Sequence, residues 1–238
     1  MRIRMLLLAL LVSLAAAACR NEAGPDEIKG NAIIDWVDFV MLDGRSYNGL
    51  YDGVIVNPED ITEQVAGKTK FKLSDVVSNP GYRTKDGDAA FLPIGTKLYR
   101  VKGFEADELI AARDEKRIGG YRLYAENEFY KTVQRHYEEL PKDKTERIEL
   151  YRIQEFEPYK TLLAADMDRF IQLLDTGKDT DNYTPPNREK DPDYYRMVFY
   201  TDEPIAHSFT IADDGTNVFF SPWTTRIVDP AVRTLLQP

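Results

Sequence analysis

Apolar and polar residues fall into a two-residue rhythm over 33–42, where Ile34, Trp36 and Val40 share one face of an extended segment. The segment stops at Asp43-Gly44, a strong turn signal. Further strands are predicted at 50–56, 68–73, 89–92 and 96–101, separated by Asn57-Pro58, Asn79-Pro80-Gly81, Asp86-Gly87 and Gly95. Over 68–73, Thr69, Phe71 and Leu73 oppose Lys68, Lys70 and Lys72, the pattern of a half-buried strand. Residues 109–113 and 121–125 make another pair across Ile118-Gly119-Gly120. Residues 31–126 therefore predict a β-rich domain, a small barrel or sandwich.

The pattern then breaks. Residues 127–146 are charged and contain Pro141, which makes them a connector, with a short helix over 128–139. A strand follows at 147–153. Met167, Phe170, Ile171 and Leu174 then show the spacing of an amphipathic helix, with acids at its start and Gly177 past its end. Residues 178–193, with Pro185, Pro186 and Pro192, predict an exposed loop. Strands at 194–200, 205–211 and 217–221 predict a three-stranded antiparallel meander, turning at Asp202-Glu203-Pro204 and at Asp213-Asp214-Gly215-Thr216. Asp229-Pro230 opens a short final helix through Leu236. The expected fold class is α+β and β-rich, with an α+β domain of two short helices and the meander over 147–238.

The N-terminus carries a different signal. Arg2 and Arg4 precede an apolar run from Met5 to Leu14, and Ala15-Ala16-Ala17-Ala18 leads to Cys19. These are the three regions of a secretory signal, and the stretch is too short for a bilayer-crossing helix of about 20 residues. A plain signal peptide cut after Ala18 would fit. The segment also resembles the lipobox of bacterial lipoproteins, although Ala16 stands where leucine is usual and Leu14 lies two residues too early. That resemblance implies a signal peptide over 1–18 and Cys19 as the lipidated N-terminus, carrying diacylglyceryl and acyl chains such as palmitate. Residues 19–30, polar with Gly24 and Pro25, suit a flexible tether.

Cys19 is the only cysteine, so no internal disulfide can form and the core alone must hold the fold. The composition allows this, with 43% apolar residues, 14 tyrosines and 11 phenylalanines. Cleavage before Cys19 lowers Lys plus Arg from 31 to 29 against 40 acids, so the charge moves from -9 to -11. Such acidity argues against nucleic acid and against polybasic docking to an anionic leaflet. Two acyl chains would supply the membrane attachment that charge does not.

Catalytic chemistry is sparsely represented. His136 and His207 are the only histidines, no His-Glu-x-x-His or Gly-x-Ser-x-Gly motif occurs, and His207 and Ser208 point to opposite faces of one strand. His207 reads as a half-exposed packing residue and His136 as a solvated one. Asp86-Gly87-Asp88 and Asp213-Asp214-Gly215 offer paired carboxylates but no ladder of calcium ligands, so both read as turns. Tyr47, Tyr51, Tyr194, Tyr195, Phe219, Phe220 and Trp223 fall near turns or strand ends, where they could line a binding surface, although most should be core. No catalytic residue, metal ligand or cofactor is assigned.

Two stretches carry a family resemblance. Asp35-Trp36-Val37-Asp38-Phe39-Val40 is one. The other is Tyr82-Arg83-Thr84-Lys85-Asp86-Gly87-Asp88-Ala89-Ala90-Phe91-Leu92, continuing through Gly95-Thr96-Lys97-Leu98-Tyr99 to Lys102-Gly103-Phe104. Over about residues 31–104 the chain resembles uncharacterised surface lipoproteins of Gram-positive, spore-forming bacteria. The resemblance implies placement at the extracytoplasmic face of the cell membrane and supplies no catalytic residues. The expected function is a lipid-anchored binding or interaction protein of the envelope with an unidentified protein or envelope ligand. The alternative is an extracytoplasmic hydrolase that works with two carboxylates.

Overall fold

Strand β1 (Phe39–Leu42) is shorter than the alternation over 33–42 suggests. Its two faces enter different cores: Phe39 packs with Leu73 and Ala90, whereas Val40 and Leu42 join Tyr47, Leu98, Ile110 and Tyr124. The computed structural model describes residues 34–186, 190–222 and 224–237, so Cys19, the leader, the tether and Trp223 lie outside the described residues. β2 (Arg45–Leu50) pairs with β1. Asp43 and Gly44 both take positive φ, 53° and 73°, as a two-residue type I′ turn requires.

The strand predicted over 50–56 breaks at Tyr51-Asp52, and β3 (Gly53–Ile55) leaves the sheet of β2. β4 (Ile61–Lys68), β5 (Phe71–Lys72), β6 (Asp88–Ala89), β7 (Lys97–Val101), β8 (Leu109–Arg113) and β9 (Tyr121–Glu126) complete the first sheet. Its order is β4-β7-β8-β9-β2-β1-β6-β5, and only the β5–β6 pair is parallel. The sheet curls into a half-barrel. Register shifts in the β4–β7 pair bend its edge, as bulges do, and bring Gly67 against Leu42 of β1. Ile110, Ala112 and Tyr124 fill the core around Val40, while Leu109, Ala111, Leu123 and Ala125 face a second core with Leu50, Ile55 and Val101. Both faces of β8 and β9 are thus covered, which explains their nearly continuous apolar runs.

The connector holds α1 (Asn127–Val133), opened by the Glu126 side chain, which accepts from the backbone N–H groups of Glu128 and Phe129. β10 (Arg147–Arg152), β11 (Lys160–Leu162), α2 (Ala164–Asp175), β12 (Lys178–Thr180), β13 (Asp193–Tyr200), β14 (Ile205–Asp213), β15 (Val218–Phe220), β16 (Thr225–Val228) and α3 (Arg233–Leu236) follow. The second sheet runs β11-β10-β13-β14-β15-β16-β12, and β3 pairs with the start of β14. Ile34–Val77 and Tyr82–Pro238 form one compact unit, to which both sheets belong. The fold class expected from sequence holds: β-rich α+β, with a curled first sheet, the meander and short helices.

Further details differ from the sequence reading. The meander gains a fourth strand, β16, and part of the predicted 178–193 loop is β12, paired to it. β12 has no apolar period because it is an exposed edge, held by Asp179 accepting from Arg226 Nε at 2.7 Å. Gly177 does not adopt positive φ; its missing side chain lets the chain pass Arg226 and Ile227, whose atoms would lie 2.7–3.0 Å from a Cβ there.

In the second sheet the core is built on α2, which buries Met167, Phe170 and Leu174. Tyr137 sits beneath it with its ring edge-on to Phe199, Phe209 and Phe220, at 5.0–5.8 Å. Each such contact contributes about 0.5–1.5 kcal/mol beyond area burial.

Gly119 and Gly120 share the same left-handed conformation, φ 76° and 75°, but a Cβ on Gly119 would lie 3.0 Å from the Ile55 carbonyl whereas one on Gly120 meets nothing within 4 Å. Both alanine variants should lose about 1–2 kcal/mol from backbone strain. Gly119→Ala should lose about 1 kcal/mol or more in addition, because β3 must shift. Urea denaturation of the two variants measures the difference, and equal losses would show that the approach of β3 is not tight.

Candidate functional site

The start of β14 lies where the two sheets meet. Side chains alternate along it, so Ile205 and His207 face one way and Ala206 and Ser208 the other. Ile205 joins the core of Leu50, Ile55 and Val133, whereas Ala206 joins Val54, Ile118, Tyr151 and Val198. His207 stands opposite Phe199 of β13 on one side and Gly53 of β3 on the other.

Three other segments close around His207. α1 brings Phe129, Thr132 and Val133, followed by Arg135; the segment after β7 brings Phe104; the turn between β13 and β14 brings Glu203 and Pro204. Together they form an open groove of about 350 Å³, within the size range of small-molecule sites. Phe104 and Phe129 meet edge to face at 5.6 Å, and Val133 anchors the helix in the core.

The polar groups sit at one end. Arg135 Nη2 donates to Glu203 Oε1 at 2.6 Å, and the other carboxylate oxygen lies 3.7 Å from His207 Nε2, too far for a hydrogen bond. His207 is only 2% exposed, and its Nε2 has no hydrogen-bond partner among the described residues. Burial, assisted by the charge of Arg135, lowers the imidazole pKa to about 4, so His207 is neutral at pH 7. An unpartnered buried nitrogen costs about 1–3 kcal/mol, and such an atom calls for a specific explanation.

Among the described residues the groove is lined by apolar side chains, His207, the Arg135–Glu203 pair and one hydroxyl, that of Thr132. Thr132 donates its hydroxyl to the Phe129 carbonyl at 2.7 Å, and Ser208 lies on the opposite face of β14. His207 is fully buried, not half-exposed as the sequence suggests, because β3 and α1 cover a strand whose neighbours in sequence do not reveal them.

The other singled-out residues do not converge. His136 begins the short helical turn 137–139, its N–H donating to Glu139 Oε2 at 2.9 Å. Asp86 accepts from the Gly44 N–H at 2.7 Å, and Asp88 from the Tyr82 hydroxyl and the Lys85 N–H. Asp213 takes a bidentate contact from Arg233, and Asp214 accepts from the Thr216 and Asn217 N–H groups and the Tyr183 hydroxyl. No group of three or more His, Cys, Asp or Glu side chains among the described residues is placed to hold a metal ion. Among the aromatic residues, Tyr47 and Phe220 are core, Tyr195 packs against the second-sheet core, Phe219 lies beside Tyr183, and Tyr51 and Tyr194 are exposed.

Two carboxyls are held above their usual range, and neither is raised by another acid. Burial raises Asp38, against Arg122, the Tyr124 hydroxyl and Arg117. Asp52 keeps solvent exposure, yet the protein crowded around it raises its carboxyl, against Arg196, Arg117 and His136. The notch lined by Arg117, Arg122 and Arg196 holds only about 10 Å³, room for a single water.

Comparison with protein-family models, curated proteins and solved structures finds no match to this chain.

His207 contributes stability that is complete above its free pKa of 6.5 and lost as pH falls through about 4. The separation corresponds to about 3 kcal/mol. Urea denaturation from pH 7 to pH 4 should therefore show a steeper loss in the wild type than in His207→Leu. Parallel profiles would show that the imidazole is not held neutral.

Proposed function

We propose that this chain is a lipid-anchored binding protein at the extracytoplasmic face of a bacterial cell membrane, with the groove beside His207 as its ligand site. The observation that carries the binding reading is the groove itself: an apolar trough ending in a buried, unpartnered imidazole nitrogen, with no nucleophile beside it. Binding needs no reacting pair, whereas carboxylate hydrolysis needs two facing acids, and the charges acting on Asp38 and Asp52 come from arginines and a histidine.

The anchoring reading is supported by the basic and apolar leader, the small residues before Cys19 and the resemblance to surface lipoproteins over 31–104. No helix among the described residues is long and apolar enough to cross a membrane. A lipid on Cys19 would supply attachment independently of the fold. The net charge of -9 favours neutral or cationic partners over nucleic acid.

Metabolic labelling with a palmitate analogue, followed by membrane fractionation, tests the anchor. The wild type should carry label and sediment with membranes, and Cys19→Ala should lose the label and most of the membrane-bound fraction. Equal labelling of the two proteins would refute attachment through Cys19.

A further inference from the structure

We infer that the groove beside His207 takes a small uncharged ligand with an apolar body and a hydroxyl at one end, the hydroxyl seated between His207 Nε2 and Glu203. This rests on the binding reading above and specifies its ligand chemistry.

Two neighbouring atoms, one of them unpartnered, set the chemistry at the polar end of the groove. His207 Nε2 has no partner, and Glu203 Oε2 lies 3.7 Å from it; a small outward turn of the half-buried Glu203 side chain opens room for one oxygen atom within hydrogen-bond distance of both. A neutral imidazole presents Nε2 either as a donor or as an acceptor, depending on tautomer. A hydroxyl answers both forms, because it donates and accepts. It can accept from Nε2–H while donating to Glu203, or donate to a bare Nε2.

Charged ends fit less well. A carboxylate has no proton to donate and would stand beside the Glu203 carboxylate. An ammonium cannot accept from Nε2–H, and Glu203 is already paired with Arg135 at 2.6 Å, whose charge would repel it. A lone water could bridge the same two atoms, but it would leave Phe104, Phe129, Val133, Pro204 and Ile205 facing solvent. An apolar body attached to the hydroxyl covers these side chains as well.

Three probes of one shape separate the possibilities: 4-methylphenol, toluene and 4-methylbenzoate, titrated by calorimetry and NMR into the full-length chain in detergent. The phenol should bind saturably, shift the His207 Nε2 resonance and the ring signals of Phe104 and Phe129, and bind at least about tenfold more tightly than the other two. Thr132→Trp, at an exposed position of α1 lining the groove, should abolish phenol binding without changing the melting temperature by more than a few degrees. His207→Phe should erase the preference for phenol over toluene. If toluene binds as well as the phenol, the groove is a binding site but the hydroxyl inference fails. Preference for 4-methylbenzoate also overturns it. If no probe binds and Nε2 reports only exchanging water, both the inference and the assignment of this groove as the ligand site fail.

Discussion

The structure depends on one short strand changing sheets. The chain leaves β2 at Leu50, turns through Tyr51-Asp52 and is captured by β14 at Gly53–Ile55. Flanking bonds extend that capture: the Val56 N–H donates to the Pro204 carbonyl and the Ser208 N–H to the Asp52 carbonyl. Gly53 can sit there because a side chain would meet Leu50, whose Cδ2 would be 2.4 Å from its Cβ. The crossing places Ile205 in the core shared with Leu50, Ile55 and Leu109. It also buries His207. Fold and groove therefore share an origin, since the strand that joins the sheets pairs with the one that carries the imidazole.

Beside the crossing, a buried charge is held by its neighbours. Asp38 is 3% exposed, its backbone carbonyl accepts from the Gly49 N–H, and its carboxylate accepts from the Tyr124 hydroxyl and from Arg122, which also reaches Asp114 at 2.9 Å. Burying a carboxylate is costly, and the raised pKa of Asp38 shows that the cost is only partly offset. Gly49 is needed here, since a Cβ would lie 3.0 Å from Asp38 Oδ2. The polar network thus works by shape as well as charge: the Asp38 side chain packs closely over the backbone of β2 at Gly49.

Much of this was legible in the sequence wherever a segment has one wet face. The helix at 164–175 and the meander follow from periodicity, the pair β8–β9, covered on both faces, from apolar runs on either side of Ile118-Gly119-Gly120, and Asp43-Gly44 and Asp229-Pro230 from turn and cap chemistry. Where periodicity fails, the reason is physical. β1 is covered on both sides, so the alternation over 33–42 does not mark where the strand begins; β12 and β16 are short and partly exposed, so they offer no apolar stripe. Residues 50–56 read as one strand because the apolar pattern continues across the corner where the hydrogen-bond partners change. The groove was illegible for a related reason. Phe104, Phe129, Arg135, Glu203 and His207 come from four separate segments, and the sequence reads His207 as a packing residue, so nothing in the pattern brings them together. The leader and Cys19 belong to sequence alone.

The pairing of β3 with β14 also sets an order of events. Residues 53–55 must wait for residues 205–207 before their backbone groups are satisfied, with strands β4 to β13 lying between them in the chain. Such a contact closes a long loop and comes late, after the local hairpins have formed. A chain that emerges N-terminus first would present a finished β1–β2 hairpin and a bare β3 until nearly its whole length is free. The groove beside His207 would then come into being only in the last stage of folding, so that its presence reports on completion of both sheets.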